Sequence, residues 1–81
     1  MPKLKPNDLE IRRAVIRAEI KKNMELKMVS SAQVAKKINM TKGTFLYRLR
    51  EGETIRLDEL RRMIPELGLT DDQVLRIAKG G

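Results

Sequence analysis

From Thr41 to Arg50 the chain carries Thr41, Lys42, Gly43, Thr44, Tyr47, Arg48 and Arg50, a run of hydroxyl, ammonium, phenol and guanidinium groups without one carboxylate. Such groups donate hydrogen bonds to anionic and carbonyl oxygens, and a guanidinium fork matches either a phosphate or the major-groove edge of guanine. The chemistry they suit is recognition of a polyanion. Bond making near neutral pH lacks its usual residues, because the chain has no histidine and no cysteine. The same absences remove the common zinc ligands and any disulfide. No glycine-rich phosphate cradle is present either, so neither an enzyme nor a cofactor is expected. Asp71 and Asp72 form an adjacent carboxylate pair, but neighbouring helical residues diverge, and acids in a first turn are explained by the helix dipole.

Two short helices and a tight turn must position those groups. Ser30 offers a hydroxyl to the backbone three residues on, and Gln33 reaches back to the Ser30 N–H, which predicts a capping box and a helix start. Val34, Ala35 and Ile38 then form one apolar stripe, with Lys36 and Lys37 off it. Asn39 tolerates the left-handed backbone of a sharp exit, Met40 plugs the corner, and Thr41 is the N-cap of the next helix. In that helix Phe45 and Leu49, four apart, point inward, which turns Gly43, Thr44, Tyr47 and Arg50 outward. Lys42 and Thr44 sit near its positive end, where a phosphate or base edge would first be met.

The series Val34-Ala35, Ile38, Met40, Phe45 and Arg48-Leu49, followed by Leu57-Asp58-Glu59-Leu60, Leu67-Gly68-Leu69 and Val74-Leu75, resembles the Cro and phage-repressor (Xre-type) helix-turn-helix family over residues 12–77. The resemblance implies an all-α fold, a compact five-helix bundle with a central helix-turn-helix. It also implies a sequence-specific regulator, phage or prophage in type, that binds a double-stranded DNA operator and represses by blocking promoter access. In that arrangement the first helix of the pair lies over the backbone, with Ser31 and Gln33 near phosphate, and the helix 42–50 enters the major groove. The implied DNA-binding set is Ser31, Gln33, Thr41, Lys42, Gly43, Thr44, Tyr47, Arg48 and Arg50. A dimer would set its two reading helices about 34 Å apart on a roughly palindromic site. The chain departs from the family pattern at Asn39, where Gly is usual, at Leu49, which takes the inward position one residue late, and at Pro65. The slip at Leu49 leaves Arg48 either bracing the helix or touching phosphate.

Charge agrees with a polyanion partner. Residues 1–50 hold 13 Lys/Arg against 4 Asp/Glu, a net of +9, and residues 51–81 hold 5 against 7, a net of −2, which together give the overall +7. The basic half contains the two-helix unit, so the surplus is placed where phosphate neutralisation would release counterions, although a basic surface also serves solubility. At 81 residues there is room for one modest core and a single domain over 1–81, with 1–7 a flexible basic arm and 79–81 a tail. No apolar run approaches a membrane span and no signal peptide is recognisable, so a cytoplasmic protein is expected.

The remaining segments read as support. Asn7 or Asp8 caps a long first helix to about Lys27, whose Arg12, Arg13, Arg17, Lys21 and Lys22 form either a solvated face or a DNA contact. Val29 is placed as a hydrophobic staple. A proline at 65 predicts a short fourth helix near 58–64, with a kink or fresh turn there. Gly68 stops that region, and Thr70 with Gln73 makes a second capping box for a last helix to about Ala78, ended by Gly80. Val74, Leu75 and Ile77 are either a homodimer patch or part of the intramolecular core. Tyr47 either meets DNA or packs over a neighbouring helix, and Arg50 either pairs a guanine, meets phosphate or pairs with Glu51 or Glu53. Two other functions fit the same residues: the antitoxin half of a toxin pair, and a protein-interaction module that keeps the fold without DNA. Membrane binding by the first helix is disfavoured by its lack of aromatics.

Overall fold

The computed structural model describes residues 8–79; the expected basic arm over 1–7, the Asn7 cap and the Gly80 terminator lie outside the described residues. Five helices follow one another: α1 Asp8–Lys27, α2 Ser31–Lys37, α3 Lys42–Arg50, α4 Leu57–Leu67 and α5 Asp71–Lys79, with a 3-10 turn at Gly52–Thr54 between α3 and α4. Among the described residues there is no strand, and no helix is long and apolar enough to cross a membrane. The all-α five-helix architecture is the one expected.

A single core joins all five helices. Ile16, Ile20 and Met24 enter it from α1, Val34, Ala35 and Ile38 from α2 and its end, and Phe45 and Leu49 from α3. Leu60, Met63, Leu67 and Leu69 come from α4 and its exit, and Ile77 from α5. Each fully buried side chain of this size contributes about 1.5–3 kcal/mol. α2 and α3 have 7 and 9 residues, too few to persist alone when isolated helices shorter than about 12–15 residues are marginal. Their helicity comes from this burial. Gly52 is buried where α1 presses on the 3-10 turn, since a Cβ there would lie 2.8 Å from Ile16.

Three helices end in the same way. After α1, Met28 is left-handed (φ 55°), with Met28 N–H to Glu25 O and Val29 N–H to Met24 O. After α2, Asn39 is left-handed (φ 61°), with Asn39 N–H to Lys36 O and Met40 N–H to Ala35 O. After α4, Gly68 takes φ 64° and Leu69 N–H reaches Ile64 O. These are Schellman-type closures, in which a left-handed residue reverses the chain while the last carbonyls keep their donors. Asn39 and Gly68 act as the sequence predicts; Met28 does not belong to the residue types that favour this backbone.

One expectation is corrected, and one left open is divided. α4 does not stop near 64 but continues through Pro65 to Leu67. Pro65 is exposed and forgoes one hydrogen bond, while Met63 and Leu67 on either side of it are fully buried, so burial outweighs the lost bond. The apolar end of α5 is also divided: Ile77 is in the core, Val74 packs against it, and only Leu75 is exposed. Of the three, Leu75 alone is offered to a partner.

One polar cluster is buried with the apolar side chains. Asn23 Nδ2 donates to Leu67 O (2.9 Å), and Gln73 Nε2 donates to Asn23 Oδ1 (2.7 Å) and to Glu19 Oε1 (3.0 Å). Gln73 also closes the expected capping box with Thr70, accepting the Thr70 N–H at 3.0 Å. Among the described residues no buried side-chain polar atom is left without a partner.

The left-handed positions predict a stability series. Met28→Gly removes the Cβ penalty at an exposed site and should raise unfolding free energy by about 0.5–1 kcal/mol, whereas Asn39→Ala should lower it by about 1 kcal/mol. Urea denaturation of both variants checks the two opposite signs.

Candidate nucleic-acid interface

The two-helix unit is locked by its caps. Ser30 Oγ accepts the Gln33 N–H (3.2 Å) and Gln33 Oε1 accepts the Ser30 N–H (2.8 Å), so the first capping box forms as expected. Val29, half-buried ahead of it, packs on the core as the staple should. Thr41 Oγ1 accepts the Thr44 N–H (3.1 Å), and its hydroxyl donates to Thr44 Oγ1 (2.8 Å). Met40 is half-buried against the core at the corner. The carbonyl of Ile38, at the end of α2, accepts from Arg62 Nη1 of α4 at 3.1 Å, which anchors the turn from behind.

Burial of Phe45 and Leu49 sets the rotation of α3. Gly43, Thr44, Tyr47 and Arg50 are all exposed, together with Thr41 and Lys42 at its start. A Cβ on Gly43 would meet nothing within 4 Å, so the face is open at its first turn. Two guanidinium groups approach the Tyr47 ring, with Arg50 Cζ 5.6 Å and Arg48 Cζ 5.8 Å from its centroid. Cation–π contact at such distances stiffens long side chains at modest gain. The Arg50 guanidinium also stands 3.5 Å from Glu51 Oε2 at the surface, a weak pairing. Leu46, 43% exposed beside Tyr47, adds an apolar edge that the sequence reading does not include; its spacing of one residue from Phe45 was the available signal.

The predicted residues are not equivalent. Ser31 is half-buried at the first turn of α2, and Gln33 spends its carbonyl oxygen on the cap. Arg48 turns inward: its Nε lies 3.1 Å from Glu59 Oε1, with the two side chains 18% and 10% exposed. Glu59 in turn accepts the Arg56 N–H at 2.9 Å and so fastens the start of α4. This contact makes Arg48 the brace between α3 and α4, one of the two roles its position left open.

A second clamp stands at the far end of α3. Arg13 of α1 donates from Nε to Glu53 Oε1 at 2.8 Å and from Nη2 to Glu53 Oε2, and reaches Glu51 at 3.4 Å. The hydrogen bond from Arg13 holds the Glu53 carboxyl down to about 2, against an ordinary value of 4.5. Hydrogen bonding to Gln73 and then to Arg76 lowers the Glu19 carboxyl as well. Among the described residues no cluster of His, Cys, Asp or Glu could hold a metal ion. No family model, curated protein or solved structure matches the chain.

Two outcomes follow. Arg48→Ala leaves the nearly buried Glu59 carboxylate without its cation and should cost about 1–3 kcal/mol in urea denaturation. The Glu53 carboxyl is depressed, so its pairing stabilises the fold fully above about pH 4.5 and is lost as pH falls toward 2. A carboxyl NMR titration of Arg13→Ala should return the Glu53 midpoint towards 4.5.

Proposed function

We propose that this chain is a sequence-specific double-stranded DNA-binding regulator of the Cro or phage-repressor type that reads the major groove with α3. The observation that carries this reading is the outward face of α3. Gly43, Thr44, Tyr47 and Arg50 are exposed together on a helix whose opposite side is sealed by Phe45 and Leu49, and the neighbouring helix is joined to it through a left-handed turn.

Each group then has a physical task. The unpaired N–H groups at the start of α3, with Lys42, meet a phosphate. The open first turn at Gly43 brings the backbone close to the groove edge. Tyr47 stands over the bases, and Arg50, steadied by its ring, donates to a guanine edge or the adjoining phosphate. Thr41 and Gln33 hold the frame through their caps, Ser31 lies by the backbone at the start of α2, and Arg48 acts through Glu59 rather than on DNA. Net positive charge in residues 1–50 supplies the long-range attraction.

Selection from random duplex DNA tests the reading, followed by titration of the winner against a scrambled duplex at about 0.15 M salt. A winner bound about a thousandfold or more above scrambled DNA is expected. Tyr47→Ala and Arg50→Ala should each weaken that complex by about 1–3 kcal/mol while leaving thermal stability unchanged, because both side chains are exposed. Equal, weak and salt-labile binding to every duplex would reject it.

A further inference from the structure

Away from the outward face of α3, the first turns of α1, the stretch 52–57 and the end of α5 surround a hollow of about 320 Å³. Its floor is apolar: Ile16, Leu60 and Ile77, from α1, α4 and α5. Leu57 stands at its edge, 64% exposed, and Leu75, 54% exposed, lies three residues before Ala78 of the lining, on the same side of α5. Apolar surface of this kind, continuous with a hollow, is what protein contacts use.

The rim supplies the sign. Arg12, Arg56 and Lys79 all line the hollow. None of their side chains is paired with a carboxylate among the described residues, whereas Glu53, the one acid there, is engaged by Arg13. An occupant must therefore bring negative charge to three cations and an apolar group to the floor. A second copy of this chain fits badly, because a two-fold contact would set these cations against their own counterparts. Residues 1–7 fit no better, since their charged side chains are Lys3 and Lys5. A small anion confined to the hollow would leave Leu57 and Leu75 in water.

We propose that this hollow docks an acidic segment of a partner protein, which inserts a large apolar side chain against Ile16, Leu60 and Ile77 and lays carboxylates over Arg12, Arg56 and Lys79. None of Gly43, Tyr47 and Arg50 lines it, so the surface is separate from the α3 face.

A displayed library of random dodecapeptides, panned against the full chain with excess duplex DNA to occupy any basic nucleic-acid face, provides the test. Enriched peptides should place one or two Phe, Leu or Trp residues among Asp and Glu. The strongest, made synthetically, should lose about tenfold or more in affinity with Leu57→Glu and with Arg56→Glu. It should bind Tyr47→Ala, Arg50→Ala undiminished, and circular dichroism should show every variant folded. The proposal is overturned if no peptide is enriched, if winners lack acidic residues, or if Leu57→Glu and Arg56→Glu leave binding intact. It is equally overturned if the Tyr47 and Arg50 changes abolish binding, which would make the peptides stand-ins for DNA. Sedimentation equilibrium showing a dimer that Leu57→Glu dissociates would assign the face to a second copy and reject the acidic partner. Because the peptide assay does not require DNA binding, its failure and that of the regulator reading are read separately.

Discussion

Phe45 is the constraint on which the arrangement rests. It is the only phenylalanine in the chain and is fully buried, and α3, only 9 residues long, has no means of holding its own rotation in water. Once that ring and Leu49 are enclosed, helical geometry leaves no choice about the other side: positions two residues from Phe45 in either direction face solvent. The outward set of Gly43, Tyr47 and Arg50 is thus a consequence of the core. A substitution that loosened the ring would blur the face without touching any residue on it.

The exits of the helices matter as much as their apolar stripes. A helix that runs one residue too long carries its successor about 100° out of register. Left-handed residues after α1, α2 and α4 stop each helix within two residues while satisfying its last carbonyls. The buried Asn23–Gln73 contact, tied to Leu67 O, performs a related task across the long range of the sequence. Apolar side chains tolerate sliding, but amide groups sealed from water must meet specific partners or leave a polar atom unsatisfied. That contact fixes α5 against α1 at one register.

Much of this was legible from residue types. Ser30, Gln33, Asn39 and Thr41 act through local hydrogen bonds and dihedral preference, which depend on neighbours in sequence, so the two-helix unit and the burial of Phe45 and Leu49 could be read directly. What escaped depended on partners far along the chain. Nothing near Arg48 announces Glu59 as its partner, and nothing in α1 marks Asn23 as buried until Gln73 and Leu67 are brought beside it. Pro65 departs from expectation for the opposite reason. Its local cost is real, but the burial of Met63 and Leu67 outweighs it, and that term is tertiary. Met28 shows the same override, a poor left-handed residue held there because α1 and α2 must join within three residues.

The charge pattern takes a different meaning once the pairs are known. Arg13, Arg48, Arg62 and Arg76 each face a carboxylate, and three of those four contacts join α1 to the 3-10 turn, α3 to α4 and α1 to α5. An arginine held in this way has already exchanged water for protein, and drawing it onto a phosphate would strand its acid. Lys42 has no such partner among the described residues, and Arg50, itself exposed, has only the half-buried Glu51 that Arg13 also reaches. Any anion approaching this side of the fold would meet the untied Lys42 and the exposed Arg50 before the arginines already held by carboxylates between helices. Acids of α1, α4 and the 3-10 turn convert part of the basic surplus into helix-to-helix contacts, and the cations that no carboxylate holds among the described residues include Lys42 on α3 and Arg12, Arg56 and Lys79 around the hollow beside Leu57.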